Sequence, residues 1–285
     1  MTGATVTAEA AVRAAVDQLL QEAQVREPPA PLDLLGSIRR IVRIETVEMT
    51  AAGRLVPTGT NGYIVQVRDA DSAGRQRFSI AHEIMHTFFD GTSGTRRLRE
   101  DQVTGAFGTV REEYLCDVGA AHMLLHPSWL HELTLSREQS LDQLFAVASS
   151  CGASVEASAR QLAQLGMPQC SFLFWELGYR KEEQARVEHV ALPGLEELAA
   201  RPTPKLRASR VYASPGSPFF PPNKSVGDDT SIAEALRSQN RTRAVEEFEI
   251  GTNVLRADCE SQAVGYRGSG GRLVERVITL ARWKQ

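Results

Sequence analysis

The segment His82-Glu83-Ile84-Met85-His86 concentrates two imidazoles and a carboxylate within little more than one helical turn. On a helix, residues four apart share a face, so His82 and His86 aim at one point, where a zinc ion can be held. Glu83 adjoins the first histidine, placed to take a proton from an attacking water without competing for a coordination position. The spacing predicts a metallohydrolase, although five-residue patterns of this kind also recur on ordinary amphipathic helices.

A catalytic zinc takes three protein ligands and keeps one position open. The metzincin solution, a third histidine six residues on with a glycine between, is excluded, since those positions are Thr92 and Phe89. Downstream, the run from Thr109 to Asp117 reads as a helix opened by a capping box, with Thr109 as N-cap and Glu112 reaching back to it. Glu113 is then the carboxylate left to face the metal. Asp117 lies one turn on, where it can accept a hydrogen bond from the outer nitrogen of a zinc-bound histidine and fix its tautomer. This Glu-x-x-x-Asp pair is the gluzincin arrangement, although both glutamates would equally suit the positive end of a helix dipole.

Three stretches resemble the ImmA/IrrE metalloproteases, and most of all the IrrE branch of radiation-response proteases: Gln76 to His86, Glu113 to Ala121, and Leu124-Leu125-His126-Pro127. The resemblance is strong over roughly residues 30 to 130 and faint in the last hundred. Met85 stands where the family usually has a small residue, Asp117 where it usually has asparagine, and His126 where it has methionine; none of these removes a ligand or the base. The resemblance implies a zinc-dependent endopeptidase, with manganese possible in activity, that cleaves a transcriptional repressor of the XRE type. Such cleavage would induce stress, DNA-damage or mobile-element genes. It also implies a GAF-like carboxy-terminal module, in which no residue names a small-molecule ligand.

The 285 residues exceed one typical domain, and 42% hydrophobic content suffices for a real core. No apolar run approaches the roughly 20 residues that span a bilayer, and Met1-Thr2-Gly3-Ala4-Thr5 carries no basic-then-apolar signal, so no membrane association and a cytoplasmic location are expected. Cys116, Cys151, Cys170 and Cys259 are scattered and read as reduced. A net charge of -3 offers no broad electrostatic handle for nucleic acid, so direct nucleic-acid binding is not expected.

The expected fold is α+β: a zinc metallopeptidase domain over residues 1–130, a helix-turn-helix-like segment over 131–169, and an α+β sensor or docking domain over 170–285. Val12, Val16, Leu19, Leu20 and Ala23 predict a first helix ended by Pro28, Pro29 and Pro31, with a short second helix over Leu32 to Val42. Strands are predicted over Ile44 to Met49 and Gly62 to Val67, flanking a turn-rich Ala51 to Asn61; the second either lies inside a sheet or pairs with an extended substrate. Helices follow over Ser140 to Ala148 and Val155 to Leu165. Arg160 and Gln161 are too little charge for a DNA-reading helix, so packing or substrate docking is favoured. Later come a strand at Cys170 to Trp175, one inside the proline-rich Pro202 to Pro222, a helix at Ile232 to Gln239, and strands at Val245 to Ile250, Ser261 to Tyr266 and Leu273 to Leu280. Gly268 to Gly271 reads as the turn between the last two.

Tyr63, Tyr114, His122 and His126 are candidate donors to a tetrahedral oxyanion, with packing for Tyr114 and His122 and a C-terminal helix cap for His126 as the alternatives; Asp90 reads as a solvated helix end. The competing reading is a DNA-associated regulator with a structural metal. It is disfavoured because a structural zinc usually has four protein ligands, and three plus a base are found.

Overall fold

Apolar residues at helical spacing build the first elements of the computed structural model, which describes residues 7–59, 62–89, 107–135, 139–165, 169–180, 182–184, 202–267 and 273–284. Val12, Val16, Leu19 and Leu20 are the buried face of α1 (Ala8–Glu22), whose start is capped by the Thr7 hydroxyl accepting from the Ala10 N–H. The chain divides into two compact units, the first drawn mainly from Met1–Glu138 with Gln143–Ser158, the second from Ala159 onward with Gln139–Asp142.

In the first unit, α2 (Leu32–Ile38) stops four residues short of the expected end. Arg40 takes a positive φ of 63°, which breaks the helix, and the β-branched Ile41 and Val42 start β1 (Ile41–Val47). β2 (Gly53–Pro57) occupies what reads as a turn-rich stretch, and β3 (Tyr63–Arg68) follows. The sheet order is β1-β3-β2, with β3 parallel to β1 and antiparallel to β2. β3 is therefore the interior strand, both its edges are used, and substrate pairing along it is excluded. Gln66 in its middle accepts from Arg54 of β2 at 2.6 Å and donates to Glu45 of β1 at 2.7 Å, tying all three strands across one face.

Val65 and Val67 point to the other, fully buried face. The long helices α3 (Ala73–His86) and α4 (Phe107–Leu124) pack on each other, and α5 (Pro127–Thr134) follows. α4 already runs at Phe107, so Thr109 lies inside the helix and is not its N-cap. α4 lies close against α3 at Gly119, where an added Cβ would lie 2.6 to 2.9 Å from the buried Met85 side chain. Gly119→Ala is therefore expected to cost about 1 to 3 kcal/mol in chemical denaturation, as overpacking does. A second change, Met85→Ala, should recover much of that loss; additive destabilisation in the double variant would show that the contact is not the cause.

The helix pair expected after residue 140 is present as α6 (Leu141–Cys151) and α7 (Val155–Gln164), with Gly152 at a φ of 59° in the turn between them. In the second unit, β4 (Cys170–Gly178), β5 (Lys205–Ala213), β6 (Thr242–Ile250), β7 (Asn253–Arg267) and β8 (Leu273–Trp283) form one antiparallel sheet in the order β5-β4-β8-β7-β6. α8 (Ser231–Ser238) packs on its β6-β7-β8 part. β7 starts eight residues before the expected strand, because Gly251 at a φ of 63° lets β6 and β7 join through a two-residue turn. The predicted turn at Gly268 to Gly271 lies outside the described residues, but the strands flanking it pair through Arg267 and Leu273.

Trp175, Phe220, Phe248 and Trp283 form the aromatic centre of this core, with ring centroids 5.2 to 6.4 Å apart. Both indoles are satisfied inside it, Trp175 donating to Thr279 and Trp283 to Ser171, each at 2.9 Å. Glu260 is fully buried, yet paired to Arg241, Arg243 and Arg282 and accepting from the Leu141 N–H. The four cysteines are unpaired and buried, and no described helix is long and apolar enough to cross a membrane.

Candidate metal centre

The last turn of α3 is held at its exit. Arg39 donates through Nε to the Thr87 hydroxyl at 3.0 Å and through Nη2 to the Thr87 carbonyl at 2.7 Å, while its guanidinium lies 3.9 Å from the Phe88 ring centre. This clamp fixes the helix end that carries His82, fully buried, and His86, whose ring centroids are 4.9 Å apart. From α4, Glu113 places one carboxylate oxygen 3.1 Å from His82 Nε2 and the other 3.3 Å from His86 Nε2. Two imidazole nitrogens and a carboxylate from separate helices thus converge on one small volume, a donor set suited to zinc.

The outer ring nitrogens are also engaged. His82 Nδ1 lies 2.8 Å from Asp117, the partner expected for it. His86 Nδ1 lies 3.1 Å from Glu112 and 3.6 Å from the Cys116 sulfur. Glu112, expected to cap its helix, instead orients a histidine. The sequence signal for it is the pattern Glu112, Glu113, Cys116, Asp117, which puts two adjacent columns of one helix face toward α3. His82, His86 and Cys116 could by proximity also form a metal-binding set. Glu113 would make the better third ligand, because its carboxylate faces the inner nitrogens of both histidines. Burial, and then the surrounding carboxylates, push the Cys116 thiol far up, away from the thiolate a metal needs.

Charge follows the same geometry. Burial raises the Glu113 carboxyl, but hydrogen bonds from His82 and His86 outweigh this and hold it well below the ordinary carboxylate range. Burial lowers His86, but the hydrogen bond to Glu113 and the charge of Glu83 outweigh that and raise it above its ordinary 6.5. In the metal-free protein the His86–Glu113 pair therefore stabilises the fold fully below 6.5, as long as Glu113 stays ionised, and this is lost as pH rises through the raised histidine value. A metal must displace that proton. Zinc affinity, measured by competition with a chelating dye, should thus rise as pH climbs from about 6 to 8, with proton release on binding; a flat profile would show that His86 is not a ligand.

Glu83 is buried on the sheet side of α3, and β2 presses against it. A Cβ on Gly53 would come 2.8 Å from Glu83 Oε1 and 3.3 Å from Ser79 Cβ. Gly53→Ala should therefore displace the carboxylate and lower activity on the order of tenfold to a hundredfold, with metal content unchanged. Loss of metal instead would place Gly53 in fold support only.

Of the other candidates, Tyr114 donates to Glu9 at 2.7 Å, and His122 and His126 both meet Asp17. His126 is the N-cap of α5, with Pro127 following it, and not a C-terminal cap. Tyr63 stands on β3 below the Arg40 guanidinium. Asp90 lies outside the described residues.

Residues 39–163 match the IrrE N-terminal-like domain, a peptidase family. This stretch is an ImmA/IrrE-type domain. Every residue of the cluster, from His82 to Asp117, falls within the IrrE-like stretch. In fold, the chain is similar over 96% of its length to a Mycobacterium tuberculosis transcriptional regulator, with a TM-score of 0.58, 14% sequence identity and 76% of that chain covered. None of the curated proteins matches the chain.

Proposed function

We propose that this IrrE-like protein is a zinc-dependent, site-specific endopeptidase of gluzincin type that cleaves an XRE-type transcriptional repressor and so induces stress or DNA-damage genes. The observation that carries this reading is the convergence of His82 Nε2, His86 Nε2 and the Glu113 carboxylate, with buried Glu83 beside them.

His82, His86 and Glu113 would hold the ion, which supplies Lewis acidity toward the scissile carbonyl. Asp117 and Glu112 hold the two imidazoles in the tautomer that presents Nε2 inward. Glu83 takes a proton from the attacking water and returns it to the leaving amine. The outer edge of β2, which has no partner strand among the described residues, supplies main-chain hydrogen bonds to an extended substrate segment. The second unit is a GAF-like sensor or docking module, a reading supported by its open antiparallel sheet carrying α8.

Incubating the purified chain with an XRE-type repressor, with and without zinc or manganese, tests this on a gel. A metal-dependent pair of discrete fragments is expected, and an intact repressor under all conditions counts against it. A second reading, a DNA-associated regulator, is favoured by the fold likeness to a protein described as a transcriptional regulator. Tight, sequence-specific DNA binding at physiological salt would promote it over the protease.

A further inference from the structure

Asp17 on α1, His122 in the last turn of α4 and His126 at the start of α5 repeat, in miniature, the donor set of the main centre. His122 Nε2 lies 2.6 Å and His126 Nε2 3.0 Å from the same Asp17 oxygen, and the imidazole ring centroids are 4.9 Å apart. One ligand atom from each residue falls within 4.8 Å of the other two. The corresponding separations at the main centre, 3.1 and 3.3 Å, are much the same. Nine residues of α4 separate Glu113 from His122, roughly 13 Å along the helix, so the two clusters are separate sites.

We infer that Asp17, His122 and His126 form a second binding site for a divalent transition-metal ion, zinc-like in its preference for imidazole. Two imidazoles and one carboxylate select zinc, nickel or copper over calcium or magnesium, which prefer all-oxygen sites. His126 is prepared for the role, because its other nitrogen lies 2.7 Å from the Ser128 hydroxyl oxygen. With Nε2 on the metal, Nδ1–H donates to that oxygen, and only the long 3.4 Å contact from the Ser128 N–H is given up. The side chains of Asp17, His126 and His122 are 53%, 22% and 11% exposed, so an ion enters from solvent and water completes its coordination.

Such an ion would clasp α1 to the junction of α4 and α5. The same seam already holds the Tyr114–Glu9 hydrogen bond and the buried Val12, Val16 and Leu20. α4 also carries Glu112, Glu113 and Asp117, so the clasp would stiffen the helix that completes the main centre.

Equilibrium dialysis of the full chain against zinc alone tests this, with Glu113→Ala, His122→Gln and Asp17→Asn alongside and circular dichroism to verify folding. Wild type should take up two equivalents and each variant one. In His122→Gln and Asp17→Asn the second binding step should weaken beyond the roughly 10- to 100-fold that loss of an outer partner brings. The rise in melting temperature that filling the Asp17–His122–His126 site brings should vanish in those two variants and persist in Glu113→Ala. Should His122→Gln fail to fold, the more exposed Asp17→Asn carries the comparison. A single equivalent in wild type, or two equivalents in folded Asp17→Asn, would overturn the proposal and leave the cluster a hydrogen-bonded surface triad.

Discussion

Glu83→Gln is expected to reduce repressor cleavage by about a hundred to ten-thousandfold, the contribution a positioned general base makes. Metal content should not change, because neither imidazole nor Glu113 is altered. Glutamine is nearly isosteric and keeps the packing against Gly53, where an added Cβ would already sit 2.8 Å from the carboxylate. A loss of activity then reports missing proton transfer rather than a collapsed wall. Metal analysis and a cleavage assay on one preparation decide it. Near wild-type cleavage by the variant would remove Glu83 from the mechanism.

Removing Glu113 should have the largest effect on the metal itself. Glu113→Ala deletes the carboxylate that meets both inner nitrogens, so zinc at this centre and cleavage should be lost together. Glu112→Ala and Asp117→Ala should instead weaken zinc about 10- to 100-fold, since each orients one histidine from behind. The contrast between adjacent glutamates is the discriminating measurement: equal loss from Glu112→Ala and Glu113→Ala in a zinc titration would mean that the ligand register is wrong.

The parts of this centre that could be read from sequence are those set by helical periodicity. His82 and His86 lie on one helix face, Glu113 and Asp117 on another, and both spacings are local properties of the chain. Read from sequence, Thr109 resembles a helix start and Glu112 its cap partner, whereas the helix already runs at Phe107 and turns Glu112 toward His86. β2 carries no strand signal in the sequence, because it is five residues long and contains glycine, arginine and proline, with only its pairing to β3 to define it. That pairing also made β3 interior. The contact of Asp17 with His122 and His126 had no sequence signature, since 105 and 109 residues separate the partners. Pro127 after His126 did mark a helix start there.

The position of β2 has a consequence for where a target protein can be cut. A chain that adds to its outer edge must be fully extended over several residues, with its own amide groups unclaimed. Helices and sheet interiors of a folded target cannot meet that demand without local unfolding. Scission should therefore fall in linkers between folded modules, separating a target's parts while leaving each one intact, so the outcome for a repressor would be disassembly rather than destruction.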